Sequence, residues 1–142
     1  MPFDLLLLAD ETMEAIEKYL DKCDVYVVQT SEASTSIAVF ALLRLTDDEV
    51  EIKNMAVAPE FRNSGVGSFI LGEIKAIALQ QNYKQIIVGT TDVDYGQLRF
   101  YLKNGFVKYA IKKDFFIVNY AKPLYENGIM LRDMVMLKTE LY

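Results

Sequence analysis

Along the 142 residues the spacing of apolar and polar positions changes period several times, and each change marks an element. Phe3 to Ala9 is an almost unbroken apolar run of strand length, and it predicts a first strand. Over residues 11–20, Met13, Ile16, Tyr19 and Leu20 recur at helical spacing, with Asp10 placed to cap that helix. Residues 25–30 and 37–45 read as strands on either side of a polar turn at 31–36. Thr46-Asp47-Asp48 then turns the chain into a third strand beginning at Val50, so the three form an antiparallel meander. In that third strand Glu49, Glu51 and Lys53 alternate with Val50 and Ile52 until Asn54-Met55-Ala56-Val57 breaks the alternation, and a broken period inside a strand predicts a bulge. Pro59, with no N–H to offer a ladder, stops the strand.

A turn of small residues, Arg62-Asn-Ser-Gly65-Val-Gly67, leads into a helix to about residue 81 with Ile70, Ile74, Ile77 and Ala78 on one side. Ile86-Ile-Val88, within a strand at 85–91, suits a strand buried on both faces of a parallel pair, which makes strand, helix and strand a crossover unit. A second helix spans 96–104 with Gly105 at its C-terminus, and a further strand occupies 106–111. An insertion at 112–129 carries Phe115, Phe116, Tyr120 and Tyr125 and the turn signal Asn127-Gly128. The last strand, 132–141, reads as an exposed edge through which a homodimer would form by strand pairing or exchange.

Bulk composition narrows the chemistry. The length fits one domain, and 52% apolar residues supply a sizeable core. No apolar run reaches the ~18 residues that span a bilayer, and Phe3 to Ala9 lacks the basic flank of a signal peptide, so no membrane partner is expected. There is no histidine and one cysteine, Cys23, which removes a histidine base, an internal disulfide and an ordinary zinc site, and points to a reducing, cytoplasmic setting. Cys23 itself reads as a small buried residue. A net charge of −5 disfavours a nucleic-acid partner.

The glycine turn opening a helix is a phosphate site, because free N–H groups and the positive end of the helix dipole converge there and glycine admits a close ligand. It is no Walker loop, since no Gly-Lys-Ser/Thr comes after it. As a dinucleotide fingerprint it is poor, because Ile70 stands three residues after Gly67. Arg62, Gly65 and Gly67 resemble motif A of the GNAT (Gcn5-related) N-acetyltransferases, Arg/Gln-x-x-Gly-x-Gly/Ala, and Leu98-Arg-Phe-Tyr101-Leu-Lys-Asn-Gly105-Phe106 resembles motif B with its Tyr-x-x-x-Gly-Phe ending. The two come in the family's order, and the likeness covers residues 25 to 110 well and the remainder loosely. The tail from Glu126 to Met134 also looks like a group of small Gram-positive members of that family, which names no substrate.

This resemblance implies an α/β (α+β) GNAT acyl-CoA N-acyltransferase fold as a single domain over residues 1–142. A mixed, mostly antiparallel sheet would be splayed between the strand at 50–57 and the strand at 85–91 and flanked by helices. It implies direct transfer of acetyl from acetyl-CoA, a cosubstrate used without a metal, to a primary amine on a small molecule or peptide. Backbone groups of Asn63, Ser64, Gly65, Val66, Gly67 and Ser68, with Arg62, would hold the pyrophosphate. Met55, Ala56 and Val57 would pair with the pantetheine arm like an added strand and supply an oxyanion N–H. Tyr101 would be the general acid for the leaving thiolate, or an aromatic packed on the arm. Glu51, eleven residues before Arg62, matches a glutamate base of some members, while others use water chains; Asp48, Glu49, Asp92 and Asp94 are the other carboxylates. Where the family has Asn and Ala, seven and four residues before the tyrosine, this chain has Asp94 and Gln97. Asp94 would meet the cofactor arm or order the acceptor. The substitutions leave open a domain that binds acyl-CoA without turnover, as a sensor or structural subunit. The first helix is short, so the acceptor side is expected to be open, shaped also by the 112–129 insertion.

Overall fold

The computed structural model describes residues 3–9, 12–29, 35–62 and 64–141. Phe3–Ala9 is a helix, α1, where a strand was expected. Neighbouring Leu5 and Leu6 are both buried while Phe3 and Leu7 are exposed, a side-by-side burial that a helix allows and a strand, with successive residues on opposite faces, does not. A continuous apolar run carries no period, and unbranched leucines are good helix formers, so the helix prevails. Met13–Leu20 forms α2. Thr12, in extended conformation, caps it by accepting from the Ala15 N–H at 3.1 Å; the expected cap, Asp10, lies outside the described residues.

Strands β1 (Asp24–Gln29), β2 (Ser36–Arg44) and β3 (Glu49–Val57) form the antiparallel meander. Thr30 and most of the expected 31–36 turn lie outside the described residues. Helix α3 (Val66–Gln80) crosses to β4 (Gln85–Thr91), parallel to β3. After α4 (Tyr95–Lys103) come β5 (Val107–Lys112), the short helix α5 (Phe115–Val118), a hairpin of β6 (Tyr125–Glu126) and β7 (Ile129–Met130), and β8 (Met134–Glu140). The hairpin turns on Asn127 and Gly128, both at positive φ (53° and 77°), as a two-residue turn with matching twist requires. No helix among the described residues is long and apolar enough to cross a membrane.

The six-stranded sheet runs β1-β2-β3-β4-β8-β5. The last strand is therefore not an edge: β8 lies between β4 and β5, antiparallel to both. Val135, Met136 and Leu137 are buried in succession, the two-sided burial of a central strand. The exposed edge on that side is β5, which carries Lys108 and Lys112. The basis for dimerisation through the last strand is removed.

One sheet face packs on α3 and α4 through Ile70, Leu71, Ile74, Leu98 and Tyr101; the other packs on α1 and α2 through Leu5, Leu6, Ile16 and Tyr19. The β3 bulge sets which residues of that strand face which layer. The β2 register skips Lys53: Ala41 pairs with Asn54 and Leu42 with Ile52. Val50 and Ile52 before it and Met55 and Val57 after it face α3 and α4, while Ala56 faces α1 and α2. Lys53 is the extra residue that shifts the alternation, which accounts for the broken period in the sequence. Asn54 is 3% exposed, and its amide donates to the Leu6 carbonyl (2.8 Å) and the Tyr19 hydroxyl (3.0 Å), fastening both N-terminal helices to the strand. Asn54→Ala leaves those buried acceptors without this donor and is expected to lower stability by about 1–3 kcal/mol, read from the urea midpoint at unchanged m-value.

Candidate active site

Parallel pairing of β3 with β4 runs from Glu49↔Gln85 to Ile52↔Val88 and stops there, one residue before the bulge. Beyond Ile52 the two strands part, and the β4-facing backbone of Met55 to Val57 loses its ladder partner. The gap is closed by α4, which lays Gln97, Phe100 and Tyr101 across it. Met55, Ala56, Val57, Arg62 and Gly67 complete a cavity of about 290 Å³.

The small-residue turn enters this cavity from one end. Gly65 has φ 84° and ψ 0°, the left-handed conformation open to glycine, and it forms the N-cap of α3 with no side chain capping the first turn. The N–H groups of Val66, Gly67 and Ser68 therefore open the helix without a side-chain acceptor, as an anion site requires. Gly67 has a different reason to be glycine: a Cβ there would stand 3.3 Å from the Phe100 ring, so its absence lets α3 approach α4. Arg62 Nε donates to the Val57 carbonyl at 3.1 Å, tying the turn to the end of β3. The Ser64 hydroxyl donates back to the Phe61 carbonyl. Asn63 lies outside the described residues.

Tyr101 is 5% exposed, held edge-on between Phe100 and Phe106 (ring centroids 5.1 and 5.2 Å), with its hydroxyl 4.0 Å from the Met55 sulfur. Burial, and secondarily the charge of Asp94, push the phenol well above its ordinary value. Asp94 does not line the cavity; its carboxylate caps α4 by accepting from the Gln97 N–H at 3.0 Å. That cap orients the turn of helix bearing Gln97 and, one turn on, Tyr101.

A second cavity, about 370 Å³, opens on the α1–α2 face between α2, the parting strands and the α5 segment. Glu51 lines it, 8% exposed, with Lys53 Nζ 3.8 Å from its carboxylate. Gln97 lines this cavity and the first one, so the two meet at the splay. Thr90, 2% exposed, also lines the second cavity, and its hydroxyl has no hydrogen-bond partner among the described residues. The walls include Phe115 and Phe116 of the insertion, and the hairpin that ends it is tied to the end of β4 by the Thr91 hydroxyl on Glu126 (3.2 Å). Of the other carboxylates, Asp48 and Glu49 sit at the far end of β3 from the splay, and Asp92 lines neither cavity. Cys23 is half-buried, where a buried residue was expected; partial burial pushes its thiol up to about 11, and it lines neither cavity.

The geometry thus brings together Met55 to Val57, Arg62, Gly67 and Tyr101 on one side and places Glu51 on the other. Gln97 and Thr90 enter as site residues that the sequence reading left unassigned. Gln97 was visible there only as a departure from a motif, and nothing in a Gly-Thr-Thr strand end marks Thr90.

A family model described as an acetyltransferase (GNAT) domain matches residues 21–108. The chain is 36% identical over 140 residues to YvbK of Bacillus subtilis (strain 168), described as an uncharacterised N-acetyltransferase, covering 98% of this chain and 88% of that protein. Among solved structures, a GNAT family acetyltransferase from Elizabethkingia anophelis with acetyl-CoA bound superposes with a TM-score of 0.94 at 39% identity, over 99% of this chain and 91% of that one. A Bacillus subtilis acetyltransferase in complex with CoA superposes at 0.88 with 33% identity, over 99% and 91% of the two chains.

Proposed function

The chain belongs to the GNAT acetyltransferase family, and from that premise we propose that it moves acetyl from acetyl-CoA directly to a primary amine, with the two cavities as donor and acceptor sites. The observation that carries this reading is their meeting at the splay, with Tyr101 on one side, Glu51 on the other and Gln97 between.

Acetyl-CoA supplies a thioester whose carbonyl carbon takes the amine and whose sulfur departs. The residues present suit it: the uncapped start of α3 from Val66 to Ser68, with Ser64, Gly65 and Arg62 in the turn, receives the pyrophosphate, and the unpaired edge of Met55 to Val57 pairs with the pantetheine arm. The same edge is the source of a backbone N–H donor for charge developing on the carbonyl oxygen. Asp94 acts on this side through its cap on α4. Tyr101 keeps its proton and presents it to the sulfur. Glu51 accepts the proton that the amine gives up, directly or through a water. The one thiol, half-buried and outside both cavities, suits a direct transfer and a reducing, cytoplasmic setting.

The direction of the Tyr101 shift sets the pH profile. A phenol held above its ordinary ~10 stays protonated until higher pH, so kcat is expected to show no falling limb from phenol ionisation up to about pH 10. Only the activating rise remains, and it belongs to the amine and its base. Free-thiol release from acetyl-CoA, measured over an amine panel between pH 6 and 10, tests the reading as a whole. Glu51→Gln tests the base: kcat/KM is expected to fall at least tenfold with the rise displaced to higher pH. A rise of unchanged position in this variant removes Glu51 from the proton path. Absence of thiol release with every amine, in protein that binds acetyl-CoA, overturns amine transfer.

A further inference from the structure

We propose that the acceptor is an amine that also carries an anionic group, a carboxylate or phosphate, on an apolar body; this rests on the second cavity being the acceptor site. The chain carries a net charge of −5, yet this cavity is lined by Lys18, Lys22, Lys53 and Lys112 against one carboxylate, Glu51. Three separate elements, α2 with its C-terminal turn, β3 and β5, contribute the five groups, so the imbalance is not the accident of one basic segment. Lys53 is matched by Glu51 at 3.8 Å. Lys18, Lys22 and Lys112 have no carboxylate within ion-pair distance among the described residues, and Lys112 Nζ instead stands 5.8 Å from the Phe115 ring centre.

Depth separates the two ends of the cavity. Glu51 and Thr90 are buried beside the splay, whereas Lys18, Lys22 and Lys112 are exposed at the rim. A ligand whose amine reaches the splay would leave its remaining substituents among the three unmatched lysines. A second cation there meets like charge in a partly enclosed space; an anion meets three complementary donors. Phe115 and Phe116 on the wall favour an apolar body between the two ends. The Thr90 hydroxyl, without a hydrogen-bond partner among the described residues, offers a polar contact at the deep end. Polyamines and aminoglycosides, cationic throughout, fit this lining poorly.

The test uses four acceptors of similar body: benzylamine, 4-(aminomethyl)benzoate, 4-(aminomethyl)benzylphosphonate and 4-(aminomethyl)benzylamine, with thiol release measured at saturating acetyl-CoA. The carboxylate or the phosphonate is expected to exceed the diamine at least tenfold in kcat/KM. Which of the two leads identifies the anion. The advantage should shrink between 0.05 and 0.5 M NaCl. In a Lys18→Gln, Lys22→Gln, Lys112→Gln variant, whose changes are all at exposed positions, the ratio of anionic acceptor to benzylamine should fall to near one. Turnover with the diamine equal or ahead, or a variant that slows all four acceptors alike, overturns the anion assignment and leaves amine transfer standing. No turnover with any acceptor, in protein that binds acetyl-CoA by titration, overturns both.

Discussion

Tyr101→Phe is expected to lower kcat about a hundredfold while leaving acetyl-CoA affinity and thermal stability nearly unchanged. The ring is held by Phe100 and Phe106, and phenylalanine keeps those contacts. The hydroxyl's polar neighbour is the Met55 sulfur at 4.0 Å, a weak contact, so its loss costs the fold less than about 1 kcal/mol. The chemistry loses more. A thiol has a pKa near 8.5 and an ordinary phenol near 10, and burial raises this phenol further, so complete proton transfer is uphill even to the released thiolate. In the proposed role the hydroxyl provides a hydrogen bond that strengthens as charge gathers on sulfur, and the released thiolate takes its proton from solvent. Such an interaction exists only in the transition state, and its removal lowers kcat and kcat/KM together. Stopped-flow or steady-state thiol release reads both constants, and titration with coenzyme A reads affinity. A variant with unchanged kcat would make Tyr101 a wall of the cavity and nothing more.

Gly65 separates backbone strain from loss of the anion site. Its φ of 84° is strained for any side chain, yet a Cβ there would meet nothing within 4 Å. Gly65→Ala is therefore expected to lower stability by about 1–2 kcal/mol from the left-handed conformation alone, with acetyl-CoA affinity changed less than about threefold. Gly65→Glu adds a carboxylate where the pyrophosphate is expected, and acetyl-CoA affinity should fall at least about a hundredfold, or ~2.7 kcal/mol. Calorimetric titration of both variants beside thermal melts makes the comparison. Equal affinity losses in the two would mean that the turn's shape, and not its free N–H groups, holds the ligand.

Legibility differed by the range of the interaction behind each feature. The turn, the α3 stripe of Ile70, Ile74 and Ala78, and the Gly105 cap at φ 93° depend on neighbours within a few residues, and all three could be read from the chain. So could the bulge, because a one-residue slip moves every later side chain to the other face. The first helix could not, since four consecutive leucines have no period to read. Nor could the place of β8: strand order is decided by pairing between residues as far apart as Gln85 and Glu140, and position in the sequence misled. Gln97 belongs to the site only because α4 lies across the splay. The rim lysines come from α2, its C-terminal turn and the end of β5, and only the folded chain gathers them. Asp94 was expected at the cofactor arm because its neighbourhood resembles a motif; its cap on α4 follows the separate local rule that a carboxylate favours a helix start.

The insertion of β8 between β4 and β5 governs when activity can arise during synthesis. The glycine turn and α4 leave the ribosome well before β8, whose residues are made 43 (Thr91 to Met134) to 55 (Gln85 to Glu140) positions after their partners in β4. Until then Ile86, Ile87 and Val88 in the nascent chain have β3 on one side and no neighbour on the other, and the gap where donor and acceptor meet has only one fixed wall. This non-local pairing raises the contact order and slows folding, and it leaves an open apolar strand for chaperones or for a neighbouring nascent chain to bind. A ribosome-stalled chain ending before Met134 should therefore carry every residue proposed for catalysis and yet release no thiol.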